Sequence, residues 1–213
     1  MALTWDAVQT TAKSKGWLVF AMDQGQDATN DPGPWGEASA DGYCMGLACH
    51  WMGLCYRGTE FDYDKGTQTF EAVIWQATLA QNLDPATAAD WRDWWRPPLQ
   101  YYGMTLSKGL HATRRHKPTA RFVRSIIGQA YGCYAIYMKG PDGAHAIAAR
   151  HGRDGRFHLF DGNEGHFAVK GYDAFRDFLD WYFDKTGYED DYTEVCGVSG
   201  VKPPIGAGDP KGT

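Results

Sequence analysis

The sequence has no apolar run near the roughly 20 residues that a bilayer-spanning helix requires, and it has no internal repeat or low-complexity block. Its first fifteen residues, Met1 to Lys15, mix polar and apolar side chains at helical spacing, so the continuous apolar stretch of a secretory signal peptide is missing there. An excess of basic charge is missing too. The 21 Lys and Arg stand against 26 Asp and Glu, a net charge of −5, which argues against a protein that holds nucleic acid on a basic face. An even cysteine count is also lacking: Cys44, Cys49, Cys55, Cys133 and Cys196 make five, three of them within twelve positions. A disulfide framework would leave one thiol over. The expectation is therefore reduced thiols, one of them chemically active.

Burial capacity is plentiful. The 213 residues are 43% hydrophobic and include nine Trp, twelve Tyr and ten Phe. A globular chain of this size buries about 70% of its unfolded surface, so a disordered state is excluded. Leu3 to Lys15 reads as an amphipathic helix and Gly16 to Ala21 as a short strand, followed by a Gly/Asp/Pro-rich loop from Asp23 to Gly42. Helical patterns follow at Cys44 to Tyr56, Thr67 to Gln81 and Pro85 to Trp95, the last opened by Pro85 and ended by Pro97-Pro98. Gly103 to Pro118 reads as irregular, and Thr119 to Ala130 as a fourth helix. From Tyr131 the period becomes that of strands, at Tyr131 to Met138, Ala144 to His151 and Arg156 to Phe160, with Asp-Gly turn signals between them. A last helix spans Tyr172 to Thr186 and stops at Gly187, and the residues after Gly197 read as loose. The layout is α+β: a helical half, then an antiparallel sheet, in one domain over 1–200 with a flexible Gly/Pro-rich tail over 201–213.

Thiol acyl chemistry needs a thiolate, a His to pair with it and shuttle protons, and a group that orients the His. Cys44 lies where the Gly42-containing loop meets a helix, and unpaired amides at a helix N-terminus favour a thiolate and can help hold an oxyanion. With the turn between the second and third strands centred near Arg153, His145 falls opposite Asp161, with a tolerance of one or two positions. Zinc is a poor alternative for Cys44, Cys49, His50 and Cys55. On a helix rising about 1.5 Å per residue, Cys44 and Cys55 stand about 16 Å apart, too far for one metal about 2.3 Å from each sulfur. Cys49, Cys55, Cys133 and Cys196 read as packing residues, His158 as a surface-facing or satisfied structural His, and Trp91, Trp94 and Trp95 as core aromatics or a substrate wall. The basic stretch from His111 to Lys117, continuing to Arg121 and Arg124, reads as a solvated face, or as a patch for anionic lipid or an acidic protein region.

The order Cys, His, Asp, with the nucleophile opening a long helix, is that of papain-like enzymes. Three segments, Gly42-Tyr43-Cys44-Met45-Gly46-Leu47-Ala48-Cys49-His50-Trp51, Gly143-Ala144-His145-Ala146-Ile147-Ala148 and Phe160-Asp161-Gly162-Asn163-Glu164-Gly165-His166-Phe167, together resemble the YopT/AvrPphB-type cysteine peptidases, bacterial effectors delivered into host cells. The resemblance implies a papain-like fold, with Cys44 as nucleophile, His145 as general base and acid, and Asp161 as the residue orienting His145. It implies no cofactor, a protein substrate such as a host small GTPase or kinase, a cognate chaperone or immunity protein, and membrane contact that is peripheral at most. It further implies synthesis in a bacterial cytoplasm and export, without a cleaved signal peptide, into the host cytosol, although Cys44 so early in the chain leaves little room for a long export region.

Two departures stand out. Gly162 replaces the family's Pro, and the positions five or six before the nucleophile, where papain-like enzymes carry an oxyanion-holding amide, are Ser39 and Ala38. The nearest upstream amides are Gln24, Gln26 and Asn30, and Ser39, Gln26 and Asn163 are the candidate oxyanion or supporting groups. The altered neighbourhood keeps open an amidase, deamidase or acyltransferase with the same triad, such as a peptidoglycan amidase toxin. A non-catalytic binding module on a decayed protease scaffold is the remaining alternative.

Overall fold

The computed structural model describes residues 5–24, 44–59 and 90–205. Helix α1 (Trp5–Ser14) leads into strand β1 (Leu18–Ala21), and helices α2 (Cys44–Arg57) and α3 (Trp91–Tyr101) precede β2 (Thr105–Arg114) and α4 (Ala120–Ile127). Strands β3 (Gly132–Gly140), β4 (Gly143–His151), β5 (Arg156–Asp161) and β6 (Gly165–Lys170) are sequential neighbours. They are followed by α5 (Tyr172–Thr186), α6 (Tyr188–Asp191) and β7 (Val195–Lys202). The seven strands form one antiparallel sheet in the order β1-β6-β5-β4-β3-β7-β2.

Alternate residues of the central strands face opposite sides. Cys133, Ala135, Ala146, Ala148 and Phe160 pack with Leu47, Ala48 and Trp51 of α2 and Trp95 and Leu99 of α3. Ile136, Ile147, Ala149, Leu159 and Phe167 pack with Val8 of α1, Val123 of α4 and Phe175, Phe178 and Tyr182 of α5. Cys44 to Tyr56 are buried without interruption, as a helix apolar on all sides must be. The α+β class and the expected positions of α1, β1, α2, β3, β4, β5 and α5 agree with this architecture. The helix expected at Thr67 to Gln81 and nearly all of the loop expected from Asp23 lie outside the described residues, as do residues 206–213 of the expected tail.

Four local readings change. The third helix does not stop at Pro97-Pro98. It starts after Asp90, whose carboxylate caps the Arg92 N–H, and runs through both prolines to Tyr101. Each internal proline forgoes a backbone hydrogen bond, and the burial of Trp95, Pro98 and Leu99 against the sheet outweighs that loss. The stretch read as irregular holds β2, an edge strand whose half-exposed residues and register shift between Leu106 and His111 hide the two-residue period. Strand β6 follows β5 after a short turn. The residues after Gly197 are not loose: β7 runs to Lys202 and sits between β3 and β2. Its glycines serve close packing, because a Cβ on Gly197 would stand 2.2 Å from Trp91 Cε2, and one on Gly200 would stand 3.0 Å from Leu110 Cδ2.

Candidate active site

The β4–β5 hairpin brings the imidazole and the carboxylate together, though in a register shifted two positions from a turn centred at Arg153. The pairing ends at Ala148 opposite Phe160, so Asp161 reaches His145 diagonally. His145 Nε2 lies 2.9 Å from Asp161 Oδ1, with His145 3% and Asp161 0% exposed. A carboxylate only accepts, so Nε2 is the donor and Nδ1 is left for the thiol. The Cys44 side chain completes the group, lining the same cleft as His145 and close enough to favour its charged form. It arrives from α2 on the opposite side of the sheet from α5.

Asp161 is fully provided with donors. Oδ1 accepts from His145 Nε2 and from the Asn163 N–H at 2.8 Å, while Oδ2 accepts from the Tyr182 hydroxyl at 2.7 Å and the Tyr188 hydroxyl at 2.8 Å. Burial alone would raise its pKa, but the His145 charge and these hydrogen bonds hold it below the usual carboxylate value. For His145, burial disfavours the cation, and the Asp161 charge and hydrogen bond, with those of Cys44, overcome it and push the pKa up to about 10. Tyr192 stacks on the imidazole at 6.0 Å and 16°.

Glu164, in the turn after Asp161, is pushed up to about 9 by burial and by the charges of Asp161 and Asp23. It therefore stays neutral at neutral pH and adds no second negative charge beside the pair. Neither its separation in sequence nor the tyrosines' suggested these roles: Tyr182, Tyr188, Tyr192 and Glu164 all look like ordinary core or turn residues in the chain.

Of the oxyanion or supporting candidates, Ser39 and Gln26 lie outside the described residues. Asn163 sits on the supporting side of the pair: its N–H donates to Asp161 Oδ1, its Nδ2 donates to the Tyr188 hydroxyl at 3.4 Å, and its Oδ1 accepts from Gln24 Nε2. Gln24 is buried, and its own N–H donates to the Gly162 carbonyl at 2.9 Å. A Cβ on Gly162 would stand 2.9 Å from Leu47 Cδ1 and 3.2 Å from Gln24 Cδ, so Gln24 occupies the space against which a Pro at 162 would press.

Beside the thiol opens a cleft of about 760 Å³ lined by Cys44, Met45, Trp91, Trp94, Tyr137 and His145, among others. Trp91 stacks on Tyr137 at 6.1 Å and 5°, and its Nε1 donates to Thr113 Oγ1 at 2.8 Å. Trp91 and Trp94 thus wall the cleft, whereas Trp95 is core.

The other cysteines divide. All five are buried and unbridged. Burial pushes the Cys49 thiol well up, aided by Cys44. At Cys55 burial is overcome by a hydrogen bond from Cys133 and by the Arg150 guanidinium, so its pKa is lowered. Cys55 and Cys133 thus belong to a buried polar chain rather than to simple packing. Arg150 continues it to His158 Nε2 at 3.1 Å, and His158 Nδ1 lies 2.9 Å from His166 Nε2. Burial and the Arg150 charge depress both of these histidines to about 3, so they are neutral structural groups.

No protein-family model matches the sequence, and no curated protein matches it either. Solved structures do. The PatoxP cysteine protease-like domain of the Photorhabdus asymbiotica toxin PaTox aligns over 91% of this chain and 58% of its own, with 7% identity and a TM-score of 0.45. The Pseudomonas avirulence protein AvrPphB aligns over 88% of this chain and 97% of its own, with 15% identity and a TM-score of 0.61. The chain has the papain-like α+β fold that AvrPphB displays.

Proposed function

We propose that this protein is a cysteine peptidase working through a Cys44–His145–Asp161 triad. The observation that carries the reading is a buried imidazole held between a carboxylate at 2.9 Å and a thiol at the mouth of an aromatic-walled cleft. The raised His145 pKa suits an imidazolium paired with a thiolate. In this reading the Cys44 thiolate attacks a peptide carbonyl and His145 Nδ1–H protonates the leaving amine, giving a thioester. Water then gives a proton to His145 and attacks the thioester, releasing the acid and the Cys44 thiolate. Asp161 fixes the imidazole and stabilises its positive form. The likeness in fold to an avirulence protein supports a delivered bacterial effector acting on a host protein in the host cytosol.

Iodoacetamide or E-64 labelling followed by mass spectrometry tests this. Modification of Cys44 ahead of the other four thiols near neutral pH, lost in His145→Ala, supports the ion pair. Equal modification of all five, indifferent to that substitution, refutes it and leaves the non-catalytic scaffold.

A further inference from the structure

Resting on that reading, the geometry points to Tyr188 as a positioning residue: its hydroxyl holds the Asp161–His145 pair in the working arrangement without itself meeting the substrate. Helix α5 ends on Gly187 at φ +78°, a left-handed turn suited to glycine, and α6 starts at once with Tyr188 beneath the pair. The Tyr188 hydroxyl donates to Asp161 Oδ2 at 2.8 Å and lies 3.3 Å from His145 Nε2, so it touches both members. Its oxygen in turn accepts from Asn163 Nδ2 at 3.4 Å, which leaves its own proton directed at the carboxylate. The ring is fixed by edge contacts to Tyr182, Phe183 and Tyr192, and 5% of the residue is exposed. Rotation of the Asp161 carboxyl would break the bonds from both Tyr182 and Tyr188 along with that to His145.

The groups facing Asp161 fix the direction of the effect. They are His145 from β4, Tyr182 from α5, Tyr188 from α6, Tyr192 just beyond it, and neutral Glu164 from the β5–β6 turn. Asp23 acts on Glu164, and Cys44 of α2 acts on His145. The Tyr182 and Tyr188 phenols are raised well above their ordinary values by burial and by Asp161, so both remain donors across the working pH range. Removing a donor from an ionised carboxylate raises its pKa. In Tyr188→Phe the Asp161 charge is therefore lost at a higher pH on acidification, and the imidazolium, no longer supported, returns its proton to the Cys44 thiolate.

The test is the rate of Cys44 alkylation by iodoacetamide in the full chain, per folded molecule, from about pH 4 to about pH 10 for wild type and Tyr188→Phe. The melting temperature is recorded alongside. The expected result is a rate lower by roughly tenfold at neutral pH and an acid limb displaced to higher pH, with the folded fraction accounted for. If Tyr188→Phe lowers only the melting temperature, and its rate per folded molecule and pH profile match wild type, the hydroxyl is structural and the inference is overturned. Should that variant not fold, Tyr182→Phe gives the same reading, since its hydroxyl meets the same carboxylate oxygen. Matching profiles there overturn the inference too. Failure of the peptidase reading is separate, because then wild-type Cys44 itself shows no preferential alkylation.

Discussion

Replacing Asp161 by Asn separates charge from shape at the centre of the site. An amide keeps the size of the carboxyl and one accepting oxygen, so the hydroxyls of Tyr182 and Tyr188 retain a partner while the negative charge disappears. His145 then feels burial without its main compensation. Its pKa, raised from 6.5 to about 10 in the wild type, should fall below the ordinary value. That range corresponds to several kcal/mol favouring the imidazolium, at 1.36 kcal/mol for each pH unit. In the wild type the imidazolium survives through neutral pH and is lost only as pH rises through about 10. In Asp161→Asn it is lost as pH rises through a value under about 6.5, so at neutral pH the imidazole is neutral and the proposed ion pair is gone. Cys44 alkylation measured against pH should fall by about 10²-fold near neutrality, with the alkaline limb moved down by several units. Stability changes with the same signs. The His145 contribution is complete below its unfolded pKa and lost as pH rises through the raised folded value. The Asp161 contribution is present above its unfolded pKa of 3.8 and lost as pH falls through the lowered folded value. An unchanged alkaline limb with undiminished Cys44 reactivity would falsify the electrostatic account of the site.

Glu164→Gln should leave stability near pH 4 unchanged and raise it at neutral pH by about 1–3 kcal/mol, because the unfolded Glu ionises near 4.5 while the folded one stays protonated to about 9. Thermal denaturation against pH checks this; a pH-independent difference between the two proteins refutes it. Gly197→Ala drives a methyl into the Trp91 ring and should cost about 1–3 kcal/mol, with a shifted Trp emission spectrum and a cleft wall displaced from Tyr137. Asp90→Ala removes the cap of α3 and its bonds to Arg92, at about 1 kcal/mol in denaturant titrations.

Much of the layout was legible because it depends on local pattern. The Asp-Gly turns and the alternation from Tyr131 to Phe160 mark β3, β4 and β5, and the Phe and Tyr spacing from Phe175 to Phe183, stopped by Gly187, marks α5. The unread elements are those in which a tertiary contact overrides the local signal. Helix α3 tolerates two prolines because its Trp95 and Leu99 are wholly buried. Strand β7 looks like a loose glycine-rich tail because Trp91 and Leu110 occupy the space its side chains would fill. Strand β2, an edge with solvent beside it, carries too few apolar residues to show a period.

The same division runs through the site. The three residue types and their order along the chain are properties of the sequence, since thiol chemistry demands a Cys, a His and an orienting group whatever fold presents them. Their partners are not. Tyr182, Tyr188 and Tyr192 act on Asp161 and His145 only because α5 and α6 fold back under the end of β4, and Glu164 stays neutral only because the turn that carries it is buried beside Asp161. No local spacing rule connects residue 188 to residue 145. The sequence by itself determined which groups are chemically able and which strands and helices carry them. Tertiary structure decided their distances, their dryness and hence their charges, because burial and the field of neighbouring groups exist only once the chain has closed around them.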